Sequence, residues 1–184
     1  MQAYRNLLGD SWDRLAPGVR VGLTSPLRAE GVMVVGRAQG LFSALFGALI
    51  PLPKSGPSVH CLLDVLDHQD YVLWKRRFGS MTFTTRQWVR NGLLIESAGL
   101  FRLVLRVREV DGAVEIDQVG LRLLGIPVPR AISPTVRALI SGQTNSSWRV
   151  AVTIGHVWFG DVCRYRGIME GTSPRSDRPT ARVP

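Results

Sequence analysis

The stretch LFRLVLRVREVDGAVEIDQVGLRLL, residues 100–124, decides the fold of this chain. In its first half, apolar residues at odd positions alternate with arginines at even positions, which is the period of a strand with one buried face. Asp111-Gly112 then supplies the turn residues of a tight hairpin. The alternation slips near Gln118 to Gly120, so we expect a β-bulge there. The stretch therefore predicts a β-hairpin.

The same alternation extends from about position 58 to 170 on both sides of this hairpin. Asn91-Gly92 is a second strong hairpin signal, because a type I′ turn needs positive φ at both central residues. Nine or ten strands with short connections predict an α+β, mostly β fold: an antiparallel meander curled into a barrel or a two-layer sheet. The predicted strands cover 31–37, 59–67, 71–78, 81–90, 93–97, 100–110, 113–124, 134–140, 148–154 and 161–170.

Two N-terminal helices are expected to cap this sheet. The first is amphipathic from Tyr4 to Leu15, with Gly9 weakening its middle and Pro17-Gly18 ending it. The second covers 41–50 and is apolar nearly all round. Packing into the core explains it as well as a role as a pocket lid or an interfacial membrane contact does. The residues predicted to form a lid are Phe42, Leu45, Phe46 and Leu49.

Composition points to one domain, which we place at 1–170, followed by a flexible basic tail at 171–184. Hydrophobic residues make up 45% of the 184 residues, enough for a real core. No secretory signal is visible, and Cys61 and Cys163 lie in strand-like segments as expected for buried thiols. We therefore expect a cytoplasmic protein.

The net charge of +9 raises the question of nucleic-acid binding. The basic residues are spread evenly and no nucleic-acid motif is present, so a solvated surface is the better interpretation. A membrane surface is a less favoured partner, because the apolar segment 41–50 carries no Lys or Arg.

Signatures of catalysis are missing from the sequence. There is no phosphate-binding glycine loop, nucleophile elbow or zinc motif. His60, His68 and His156 are scattered, so we expect neither a metal nor a cofactor.

Charged residues interrupt one apolar strand face. Trp74, Arg76 and Phe78 share a face, and counting through two-residue turns places Arg76 opposite Phe83 and Glu96 opposite Gln87. A buried charge needs a hydrogen-bonded partner or a ligand. This register leaves Arg76 and Glu96 two strands apart and offset, so a direct contact would need strong twist.

Three interpretations of these charges remain open. Arg76 and Glu96 can be structural, each satisfied by loop backbone or by the other. Arg76 can bind an acidic head group inside an apolar pocket. Glu96 can act as a general acid or base if its surroundings favour protonation.

Several segments in order resemble a known family. They include the N-terminal YRNLLGDSWDRLAPGVR, YVLWKRRFG at 71–79, Glu96 before Gly99-Leu100, GIPVP at 125–129 and Tyr165-Arg166-Gly167. Over residues 3 to 169 the chain resembles an uncharacterised bacterial family, domain-of-unknown-function family 4166, found alone or fused to saccharopine-dehydrogenase-like reductases. The resemblance implies signature positions at Trp74, Arg76, Phe78, Glu96 and Tyr165.

The sequence thus favours a non-catalytic module that binds an apolar or amphipathic small molecule or a protein partner. The predicted ligand-binding residues are Trp74, Arg76, Phe78, Phe83, Glu96 and Tyr165. One alternative, implied by the resemblance, is an enzyme or accessory subunit acting with a reductase partner. Another is nucleic-acid binding through the basic surface.

Overall fold

The computed structural model describes residues 3–39 and 52–172. The described residues form two short α-helices, α1 (Ala3–Leu8) and α2 (Pro17–Leu23), with a 3₁₀ helix at Gly9–Arg14 between them. They also form eleven strands: β1 (Leu27–Arg37), β2 (Gly56–Asp67), β3 (Val72–Phe78), β4 (Met81–Arg90), β5 (Leu93–Ala98), β6 (Phe101–Val110), β7 (Ala113–Leu123), β8 (Ile126–Pro127), β9 (Thr135–Gly142), β10 (Ser147–His156) and β11 (Gly160–Gly171).

Ten of these strands close into an antiparallel barrel. Their order around the barrel is β6-β5-β4-β3-β2-β1-β11-β10-β9-β7, and pairing between β6 and β7 joins the two ends. The short β8 adds to β7 outside the ring. The predicted β fold is confirmed, and the barrel replaces the two-layer alternative. Closure leaves few free strand edges, and free edges would otherwise be open to pairing with other chains.

The hairpins follow the turn residues that the sequence supplies. Asn91, Gly92, Asp111 and Gly112 all have positive φ, from 49 to 77°. The bulge in β7 is present too: Val104 pairs with Gly120 and Leu105 with Gln118, which leaves one extra residue in β7. Local turn chemistry thus determines the register of β4–β5 and β6–β7.

The N-terminal helices close one end of the barrel. The Ala16 amide donates to the Gly112 carbonyl at 2.9 Å, and α2 packs against Trp148 of β10. Gly9, with φ of +53°, ends α1 where the sequence predicted a weak point. The first helical stretch ends at Arg14, before Pro17, as predicted. The sequence did not predict α2, which Pro17 begins and where its missing N–H is not needed.

The two ends of the barrel therefore differ. The closed end carries the helices and the turns at 68–71, 91–92, 111–112 and 143–146. The open end carries the turns at 79–80, 99–100 and 157–159 and the connection 124–134.

The helix predicted at 41–50, with its pocket lid, and most of the predicted tail lie outside the described residues. Within the ranges described, no helix is both long and apolar enough to cross a membrane.

Candidate functional site

A cavity of about 500 Å³ occupies the barrel interior. It extends from Tyr4 and Trp148 near the closed end to Leu100 at the open end. Most of its wall is apolar, because β6, β7, β9 and β10 turn aliphatic side chains inward. Those lining residues include Leu103, Leu105, Ile116, Leu121, Ala138, Ile140, Val150 and Val152. The interior is thus suited to an apolar occupant.

The opposite wall, on β3 to β5, carries an ion pair. Arg76 Nη1 lies 3.2 Å from Glu96 Oε1 and donates a second hydrogen bond to Thr85 Oγ1 at 3.0 Å. The Arg76 side chain is 18% exposed and the Glu96 side chain 13%, and both line the cavity. Burial by itself lowers the pKa of Arg76, but the interactions with Glu96, Tyr165 and Tyr4 together outweigh burial, and the pKa is raised. Arg76 therefore stays charged in the barrel.

Aromatic rings surround the Arg76 guanidinium. Its Cζ lies 4.9 Å from the centroid of the Trp74 ring and 6.0 Å from that of Phe83, within cation–π range. Trp74 itself is 6% exposed, and its Nε1 has no hydrogen-bond partner among the described residues. A buried indole N–H normally finds an acceptor, so this donor marks a place for one.

A second polar contact lies beside the ion pair, deeper in the barrel. The Tyr4 hydroxyl of α1 donates to Gln87 Oε1 at 3.1 Å, and both residues are buried. Burial raises the pKa of the Tyr4 phenol, and it does the same for Tyr165. Tyr165 stacks edge-on against Phe78, with ring centroids 5.4 Å apart. Both phenols are therefore neutral hydrogen-bonding groups at physiological pH.

The cavity reaches the surface beside β4. The ladder between β4 and β5 covers Arg86 to Arg90 only, so the first half of β4 continues past the end of β5. Thr82 and Thr84 from this stretch line the cavity together with Gly99 and Leu100 of the β5–β6 turn. Leu100 is 62% exposed, so the mouth of the cavity lies here, at the open end.

The family of the chain is clear from comparison with known families. The family model described as Domain of unknown function (DUF4166) matches residues 19–169. The chain belongs to this family. The match begins within α2, ends within β11 and includes the other nine strands of the barrel in full. The predicted resemblance to this family is therefore confirmed.

A solved structure similar to this DUF4166 member is that of a protein with unknown function from the DUF3598 family of Nostoc punctiforme PCC 73102. The two are 12% identical, with a TM-score of 0.49, and the alignment covers 80% of this chain. It covers 48% of the other chain, so this chain spans about half the length of that protein. No curated protein matches the sequence.

The DUF4166 barrel brings together the residues that the sequence singled out. All six predicted ligand-binding residues line the cavity: Trp74, Arg76, Phe78, Phe83, Glu96 and Tyr165. The predicted registers, Arg76 opposite Phe83 and Glu96 opposite Gln87, are both present. The offset pair Arg76 and Glu96 nevertheless meets, because side chains converge on the inner face of a closed, twisted sheet.

Sequence reasoning missed three polar residues of the site. Thr85 and Gln87 are 1% and 2% exposed, and Tyr4 joins them from α1. Thr85 and Gln87 lie on the same face of β4 as Phe83, so their period-two spacing was the available signal. Nothing local in the sequence connects Tyr4 to this wall, because 83 positions separate it from Gln87.

The two cysteines of this DUF4166 member are buried free thiols. Cys61 lines the cavity, and burial raises its pKa to about 11 although the Arg76 charge acts the other way. A protonated thiol is a poor nucleophile and a poor metal ligand. Residues 3–39 and 52–172 contain no group of three or more His, Cys, Asp or Glu side chains that could hold a metal.

Proposed function

We propose that the barrel binds an apolar or amphipathic small molecule in its interior. The observation that carries this proposal is a cavity of about 500 Å³ in which the polar wall on β3 to β5 faces an apolar wall. Ligand sites in proteins are mostly apolar, contain a few oriented polar groups and have volumes of roughly 300–1,000 Å³. Cavity size and lining both agree with this description.

The polar wall indicates the chemistry of the ligand's polar group. Arg76 uses one terminal nitrogen for both of its hydrogen bonds, which leaves Nε and Nη2 without partners among the described residues. The Trp74 indole N–H also has no hydrogen-bond partner among the described residues. All these groups are donors, so the ligand's polar group should be an acceptor.

The ion pair also favours an uncharged acceptor over an anion. Glu96 already neutralises Arg76 at 3.2 Å, so an anionic ligand would bring a second negative charge beside Glu96. Bringing like charges together in a poorly solvated site is unfavourable. A carbonyl or hydroxyl group on an apolar body therefore suits the wall better than the acidic head group first considered.

Native mass spectrometry of the purified chain tests this proposal directly. We expect a co-purified small molecule whose mass disappears on denaturation. Binding of the fluorescent probe 1-aminoanthracene, an apolar molecule with one small polar group, gives a second measurement. Its fluorescence should rise on adding the wild-type chain, because the emission of such dyes increases in apolar surroundings.

Neighbouring residues of β9 provide a matched pair of variants. Ala138 lines the cavity, whereas Leu139 is 43% exposed on the outside. Ala138→Phe should reduce probe affinity about tenfold or more by filling the cavity, and Leu139→Phe should leave it unchanged. Equal binding by both variants, with both still folded by circular dichroism, would show that the probe does not enter the barrel and would overturn the proposal.

A further inference from the structure

Exposed apolar side chains gather at the open end of the barrel. The connection 124–134 and the β10–β11 turn at 157–159 carry six of them, each 55–70% exposed. We call this set the apolar rim: Leu124, Ile126, Ile132, Val157, Trp158 and Phe159. Contiguous apolar exposure of this kind marks an interaction surface.

The two segments of the apolar rim are neighbours around the barrel. Thr135, which follows the connection, pairs with Gly155, which precedes the β10–β11 turn. The Leu124 amide donates to the Leu100 carbonyl at 3.0 Å, which ties the rim to the cavity mouth. The apolar rim and the mouth therefore belong to one continuous surface.

Among the described residues near this end, positive charges outnumber negative ones. Among the described acidic residues, Glu96 and Asp161 are the two near the open end, and they form ion pairs with Arg76 and Arg164. Acidic residues at the closed end include Asp10, Asp13, Asp67, Asp70, Glu109 and Asp111. The basic residues near the open end include Arg37, Lys54, Arg77, Arg102, Arg122, Arg130 and Arg164.

We propose that the apolar rim docks on the surface of an anionic lipid bilayer. Exposed aliphatic and aromatic side chains bury in the interfacial layer, while neighbouring basic groups are attracted to anionic head groups. A second copy of the chain fits less well, because joining two open ends would bring like charges together. This inference goes beyond ligand binding, and docking would place the cavity mouth against a source of apolar molecules.

Vesicle sedimentation tests the docking. We expect the chain to sediment with vesicles of phosphatidylcholine mixed with phosphatidylserine, to bind phosphatidylcholine vesicles less, and to dissociate as salt is raised. Trp158, at 65% exposure, is the exposed one of the five tryptophans, so its insertion should shift the emission maximum to shorter wavelength. Trp158→Ser should remove this shift and weaken binding about tenfold.

Matched variants at the two ends separate docking from general charge effects. Arg130→Glu reverses an exposed charge at the open end, and Arg90→Glu does the same at the closed end. Arg130→Glu should weaken binding to the anionic vesicles about tenfold, and Arg90→Glu should change it little. Leu66→Ser, at an exposed wall position, is the matched control for Trp158→Ser.

Three results would overturn docking through the rim. The wild-type chain could fail to bind anionic vesicles at low salt. Arg90→Glu and Arg130→Glu could weaken binding equally. Light scattering could show a dimer that Trp158→Ser dissociates, which would identify a second copy as the occupant of the rim. Each is distinguishable from failure of the proposed ligand binding, because probe binding in the barrel is measured without vesicles.

Discussion

Arg76 and Glu96 form a direct ion pair with an N–O distance of 3.2 Å, although β4 lies between their strands. Glu96→Leu should destabilise the chain by about 3 kcal/mol, because it leaves the Arg76 charge nearly buried with Thr85 as its remaining hydrogen-bond partner. Urea denaturation of the wild type and the variant measures this loss.

The double variant Arg76→Met/Glu96→Leu provides the control for this pair. Replacing both charges by apolar groups removes the need for a partner, so its stability should lie close to that of the wild type. The two single changes should then be strongly non-additive. Additive losses would mean that the two charges are satisfied independently.

The pair also shows how far the sequence could predict the structure. Turn residues such as Asn91-Gly92 determine register locally, so the strands and their pairings were predictable. Contact between Arg76 and Glu96 depends on the curvature of the closed barrel and on side-chain length. Counting residue pairs along the strands includes neither. The cavity depends on closure as well. Helix α2 was not predicted, because proline is found both after the end of a helix and at its first position.

Tyr4→Phe tests how α1 is attached to the barrel. The Tyr4 hydroxyl donates to Gln87 Oε1 at 3.1 Å, and both residues are buried, so the change leaves an amide oxygen unsatisfied. We expect a loss of about 1–2 kcal/mol in the free energy of unfolding. Tyr71→Phe is the matched control, because Tyr71 is only half-buried, and it should change stability by less than about 0.5 kcal/mol. Equal effects of the two changes would argue against the Tyr4 hydrogen bond.

Gly22→Ala tests the packing of α2 at the closed end. A Cβ at Gly22 would lie 2.6 Å from the Trp148 ring, which is itself 2% exposed and has no space to move into. Although alanine favours a helix, overpacking should outweigh this and lower stability by about 1–2 kcal/mol. Gly36→Ala, where nothing lies within 4 Å, should be neutral within about 0.5 kcal/mol. A neutral Gly22→Ala in thermal unfolding would mean that α2 does not contact Trp148 closely.

Stability should fall in alkaline solution, and Cys61 should contribute to the fall. Burial raises the pKa of its thiol from 9.0 to about 11, so the folded chain keeps a proton that the unfolded chain releases. The stabilisation from this proton is complete below pH 9 and is lost as pH rises through about 11. Between these limits, urea midpoints of the wild type should fall more steeply with pH than those of Cys61→Ala. The raised pKa of Tyr4 and Tyr165 acts in the same direction in both chains, and Cys61 is the smallest of the causes that raise the pKa of Tyr165, so the difference reports mainly the thiol. Parallel pH profiles would show that Cys61 has an ordinary pKa in the folded chain.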